Sequence, residues 1–136
     1  MKRNSLCIMT ILILSLLPFF VAGCAGNYIK TRLRPPHKVQ DGILFQYENK
    51  AAQSVNLCGN FNGWCGTKEY QRFDPSVNIM TDDDHDGIWQ IAIPLPPGRY
   101  LYKFVIDNGA SWVQDPNNPL KDLEDGIENS LIIIDE

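Results

Sequence analysis

Histidine is almost absent from this chain: there are two in 136 residues, His37 and His85. Neither neighbours a nucleophile motif, which leaves a Ser-His-Asp mechanism and a histidine metal centre without support. Basic residues are scarce beyond Val39, where six face sixteen acidic ones, a formal charge of −10. That balance argues against nucleic acid as a partner and suits a neutral ligand. No stretch of useful length carries a helical period, and there is no internal repeat or low-complexity tract. The longest apolar run, Leu6 to Val21, is 16 residues interrupted by Thr10, Ser15 and Pro18, too short for a comfortable transmembrane helix. Carboxylates are plentiful, so counting alone does not exclude a glycosidase pair. A small β domain offers little room for a deep cleft, and the chain reads as non-catalytic, with no cofactor.

What is there begins with a targeting pattern. Lys2 and Arg3 precede the apolar run, which ends in Val21-Ala22-Gly23-Cys24. Basic region, apolar core, small residues and cysteine occur in the order of a secretory signal. The ending resembles the lipobox of bacterial lipoproteins, in which that cysteine becomes the lipidated first residue. The resemblance implies a signal peptide over 1–23, lipidation of Cys24, and membrane attachment through the lipid anchor. Ala25 follows the cysteine, which in a Gram-negative cell points to the outer membrane of the envelope. Residues 24–38 form a linker, basic through Lys30, Arg32, Arg34 and Lys38 and extended through Pro35-Pro36. The folded domain is expected over 39–136.

Two cysteines remain, Cys58 and Cys65. An exported protein favours a disulfide, while two small buried thiols would serve equally as packing. Between them lies Gly59-Asn60-Phe61-Asn62-Gly63-Trp64, a tight turn-rich loop that presents a tryptophan. Such a tryptophan is either a core plug or an exposed platform, and the loop suits holding it flat at the surface.

Short strands punctuated by Gly and Pro run along the rest. Gly42 to Tyr47 and Gln53 to Gly59 alternate apolar and polar residues, and Val77 to Met80 is a short strand. Ile88 to Ile93 and Tyr100 to Ile106 read as a hairpin about Pro94-Leu95-Pro96-Pro97-Gly98. Trp112-Val113 is a short strand, and Leu131 to Ile134 reads as a strand buried on both faces. Thr67 to Pro75 reads as loop. About seven strands make an all-β, Ig-like sandwich.

Asp82, Asp84 and Asp86 before Gly87 match the first half of a calcium loop. The twelfth position is Ile93 rather than Glu, so the expectation is no metal site and an acidic turn ending in Asp-Gly. Trp89 shares a strand face with Ile91 and Ile93 and belongs to the core. Trp64 and Trp112, each beside a loop, could stack on sugar rings, with Lys103 and Asn129 hydrogen-bonding hydroxyls.

Phe61-Asn62-Gly63-Trp64, Asp86-Gly87-Ile88-Trp89, Pro97 to Asp107, Trp112, Asp115-Pro116 and Gly126 to Asn129 follow in that order. Over residues 40–135 this resembles the glycogen-binding, isoamylase-N-terminal type of carbohydrate-binding module (family 48). That module is found in the β subunit of AMP-activated protein kinase and in branching and debranching enzymes. The resemblance implies an early-set Ig-like sandwich, an α-glucan or maltooligosaccharide ligand, and a site formed by Trp64, Lys103, Trp112 and Asn129. The turn between Asp107 and Trp112 is longer than the usual pattern, and Asp125 stands where the kinase subunit has a leucine. The other reading of the same sandwich is a protein-interaction or structural module with an envelope protein as partner.

Overall fold

The computed structural model describes residues 33–136. The expected signal peptide, most of the linker and Cys24 lie outside the described residues. Among the described residues, no helix is long and apolar enough to cross a membrane.

Among the described residues, eight strands form two antiparallel sheets, the expected all-β sandwich. Strands β1 (His37–Val39), β2 (Gly42–Glu48) and β4 (Ile88–Ile93) make the smaller sheet, in the order β1-β2-β4. Strands β3 (Val55–Gly59), β5 (Gly98–Ile106), β8 (Ile127–Ile134) and β7 (Lys121–Glu124) make the larger one in that order, with β6 (Ser111–Val113) also paired to β5.

The alternation along β5 organises the molecule, because successive side chains of a strand point to opposite faces. Tyr102 and Phe104 turn inward and meet Phe45 and Tyr47 of β2, at ring centroid distances of 5.0 and 4.9 Å. Ile43, Val55, Leu57, Met80, Ile93 and Ile132 complete this core. Trp89 packs at its margin, with its indole N–H donating to the Asn49 carbonyl. The intervening residues Leu101 and Val105 join a second cluster with Cys58, Trp64, Cys65 and Leu131. That cluster lies on the outer face of the larger sheet, so β3 is buried along its whole length.

The structure departs from the sequence reading at several points. β4 and β5 are not a hairpin: β4 pairs with β2, and β5 with β3, β6 and β8. Pro94, Pro96 and Pro97 lack N–H donors and carry the chain from one sheet to the other. Leu131 to Ile134 is not buried throughout, since Ile133 is exposed on the outer face beyond the second cluster. In place of a strand at Val77 to Met80, the segment stitches the sheets together. Met80 N–H donates to Val55 of β3, while Thr81 and Gln90 of β4 exchange two hydrogen bonds. The stretch read as loop contains one helical turn, α1 (Thr67–Tyr70). Strands β1 and β7 are too short and too charged to show an alternating period. Lys38, Ile134 and Glu136 line a common groove beside Pro94 to Pro97, so the two ends of the domain lie together.

Candidate functional site

The outer cluster is roofed by the loop that leaves β3. A short 3-10 turn at Asn60–Asn62 leads into four consecutive left-handed residues: Gly63, Trp64, Cys65 and Gly66, at φ 60, 54, 51 and 84°. For Trp64 and Cys65 this conformation costs on the order of 1 kcal/mol each. Asn62 holds it. Its carboxamide oxygen accepts from the backbone N–H of Gly59 and Cys65, and its nitrogen donates to the Leu57 carbonyl and the Asn78 side chain. Cys58 and Cys65 are disulfide-bonded beneath, with Cα atoms 5.2 Å apart. Of the two readings open for this pair, the bond is the one present.

Trp64 is therefore not a free platform. It is 7% exposed, because its indole covers Leu101, Val105 and Leu131. Its ring N–H donates to the Glu124 carboxylate at 2.8 Å. Trp64 still lines a hollow of about 340 Å³ on the outer face.

Lys103, Trp112 and Asn129 line the same hollow, so the structure brings all four expected side chains together. Lys103 is the middle outward residue of β5, between Leu101 and Val105. Trp112 stays on this face despite its long turn. Asp107, Asn108 and Gly109 are left-handed, and β6 folds back with Trp112 opposite Val105. Phe73 props the Trp112 ring edge-on at 6.0 Å. Asn129 of β8 is buried, and its amide donates to the Ile127 carbonyl, leaving its oxygen available.

Residues 42–136 match the family described as the glycogen recognition site of AMP-activated protein kinase. The chain belongs to this family. Curated relatives include Protein PTST homolog 2, chloroplastic, of Arabidopsis thaliana, 30% identical over 84 residues, which are 62% of this chain and 13% of the relative. A 1,4-alpha-glucan branching enzyme of Methylococcus capsulatus is 38% identical over 78 residues, 55% of this chain and 9% of the enzyme. Protein FLOURY ENDOSPERM 6, chloroplastic, of rice is 31% identical over 92 residues, 68% of this chain and 15% of the relative. The chain thus spans only a small fraction of the length of these relatives.

In this glycogen-recognition module, the β7–β8 hairpin also lines the hollow, through Glu124, Asp125 and Ile127. Asp125 and Gly126 form its two-residue turn, both left-handed at φ 52 and 77°, as an Asp-Gly hairpin requires. Lys68 of α1 reaches across and donates to Asp125 at 2.9 Å, with Glu124 at 3.9 Å. This contact raises the Lys68 pKa and lowers that of Asp125. Sequence reasoning missed Lys68 and Glu124 as lining residues. The Asp125-Gly126 pair, shortly before Asn129, was the available signal for the hairpin.

Beneath the module's β5 and β8, a buried polar network anchors the segment after β6. The Tyr102 hydroxyl donates to Asp115 and accepts from Asn118, and Lys121 donates to the Asp115 carbonyl and Ser130 hydroxyl. Burial raises the pKa of Tyr102 and of Asp115 and lowers that of Lys121.

The acidic loop lies elsewhere. Asp82, Asp84 and Asp86 bring carboxylate oxygens within 4.8 Å of one another. Each also accepts backbone N–H groups of its own turn, from Asp86, Gly87 or Ile88. These bonds give the cluster a structural role as a turn.

Proposed function

We propose that this protein is a non-catalytic α-glucan-binding module, carried at a membrane by lipid on Cys24. The observation that carries the binding reading is the convergence of Trp64, Lys103, Trp112 and Asn129 on one hollow in a chain of the glycogen-recognition family. Trp64 and Trp112 offer apolar aromatic surface to the C–H faces of glucose. Lys103 supplies donors, and the Asn129 oxygen supplies an acceptor for hydroxyls. The charge of −10 beyond Val39 fits a neutral ligand. The ordered signal pattern ending at Cys24 supports the anchor, and with it a place in the bacterial cell envelope.

Isothermal titration with maltoheptaose or β-cyclodextrin tests the binding reading, comparing wild type with Trp112→Ala and Lys103→Ala. Binding by wild type and loss of about tenfold or more in each variant is expected. A wild type that takes up no heat from either sugar sinks the proposal. Metabolic labelling with palmitate tests the anchor: the label should appear in wild type and vanish in Cys24→Ser.

A second reading, docking of an envelope protein, is favoured by the exposed Ile127 and Ile133 on the outer face of β8. A pull-down from detergent-solubilised membranes that is lost with Ile133→Glu, and not competed by maltoheptaose, would support it.

A further inference from the structure

One end of the hollow is closed by charge rather than by apolar surface. Lys68 comes from α1, and Asp125 from the turn of the β7–β8 hairpin, 57 residues later. Both line the hollow, and both remain largely open to solvent, at 53% and 75% side-chain exposure. Their turn geometry is fixed from both sides. Asp125 is held left-handed beside Gly126, and α1 follows directly on the disulfide-braced loop. The neighbouring Glu124 carboxylate is already engaged by the Trp64 indole.

An exposed ion pair contributes little to folding, because water and salt screen it. Stability therefore does not account for a carboxylate and an ammonium meeting on the wall of a hollow. The pair has unused capacity. The ammonium has three donors, of which one serves Asp125. The carboxylate has two oxygens, and one accepts from Lys68. A sugar hydroxyl both donates and accepts, so adjacent hydroxyls of one ring can take up both kinds of free position at once.

We propose that Lys68 and Asp125 act together as a specificity-determining clamp that hydrogen-bonds a vicinal pair of hydroxyls on one glucose unit of the bound glucan. The proposal rests on the α-glucan reading above and adds two residues to it. The clamp reads hydroxyls where an apolar residue would only pack, so its members should be interdependent. Losing either leaves the other with a mismatched partner for the same diol.

The test is a double-mutant cycle measured by isothermal titration with maltoheptaose. The species are wild type, Lys68→Met, Asp125→Leu and the double variant, with Asp125→Asn as the conservative control. Thermal melts accompany each, and unchanged melting is expected, since both side chains are exposed. Each single variant should weaken binding about three- to tenfold, the range of one net hydrogen bond at a solvent-exposed position. The double variant should lose little more than either single one. Asp125→Asn, which keeps one acceptor oxygen, should recover part of the loss. Binding by wild type with equal affinity in all variants overturns the clamp and leaves the glucan reading intact. Tighter binding by Asp125→Leu also overturns it, since the site would then prefer packing. A wild type that does not bind maltoheptaose overturns both readings.

Discussion

The Trp64 indole donates its N–H to the Glu124 carboxylate at 2.8 Å, across sixty residues of chain. This bond ties the loop after β3 to the β7–β8 hairpin, and both structures line the hollow. Trp64 is thus both a wall and a fastening. Trp64→Ala should cost about 3–5 kcal/mol in urea unfolding, the range for truncating a buried aromatic. Glu124→Ala should cost about 1–2 kcal/mol by stranding the indole N–H. A Trp64→Ala protein as stable as wild type would contradict this account. It also follows that Trp112→Ala is the cleaner probe of ligand binding.

Asn62 should be the most sensitive residue of the loop for its size. Its side chain makes four hydrogen bonds that hold a run of left-handed residues. Asn62→Ala should destabilise the domain by at least about 2 kcal/mol. Asn62→Asp should do nearly as badly, because a carboxylate cannot donate to Leu57 and would face the Asn78 oxygen. Chemical denaturation of both variants checks this. A substitution within about 0.5 kcal/mol of wild type would show that the loop is held some other way.

The disulfide closes a short loop, with a sequence separation of seven. In the chain-entropy view, breaking it should cost about 2–3 kcal/mol. The urea midpoint should fall on adding dithiothreitol, and in Cys58→Ala/Cys65→Ala without it. The exchange protection of Trp64 and Thr67 amides should fall first, since they bond within this loop. Equal midpoints in oxidised and reduced protein would contradict the prediction.

The buried Asp115 should give the fold a pH dependence of unusual sign. Its pKa is raised, chiefly by burial, against the opposing hydrogen bonds from Asn117 and Tyr102 and the charge of Lys121. The native state therefore holds a proton that the unfolded chain releases near pH 4. The contribution is full below that unfolded value and is lost as pH rises through the folded one. Exposed Asp74 and Asp125 act in the opposite sense, because their pKa values are lowered by Ser76 and Lys68. Comparison with Asp115→Asn isolates the buried group. The stability advantage of wild type over this variant should be larger at pH 4 than at pH 7. An advantage that grows with pH would reverse the assignment.

Where side-chain alternation governs, the fold was readable: β2, β4 and β5 fall where their Tyr, Phe and Ile residues alternate. Pairing was less readable, because alternation says which face a residue takes and nothing about which neighbour a strand finds. The proline-rich link after β4 looked like a turn and is a crossing between sheets. Likewise, Leu131 to Ile134 looked buried on both faces because an apolar run does not reveal where a covering loop stops. Trp112 could be placed only in space, since its long turn is compensated by three left-handed residues. The burial of Trp64 was hidden for a related reason. Its loop does lift it out of the sheet, and the outer cluster that it then covers is assembled from β3, β5 and β8 together.

Strand β8 runs from Ile127, in the hollow, to Ile134, in the groove where the domain's two ends meet. At about 3.3 Å per residue those points are some 23 Å apart. The hollow and the meeting point of the domain's two ends therefore lie at opposite ends of β8. A support that captures the domain through the segment before His37, and one that captures it beyond Glu136, would hold it in the same pose. Either orientation of immobilisation leaves the hollow clear of the support, at the far end of β8.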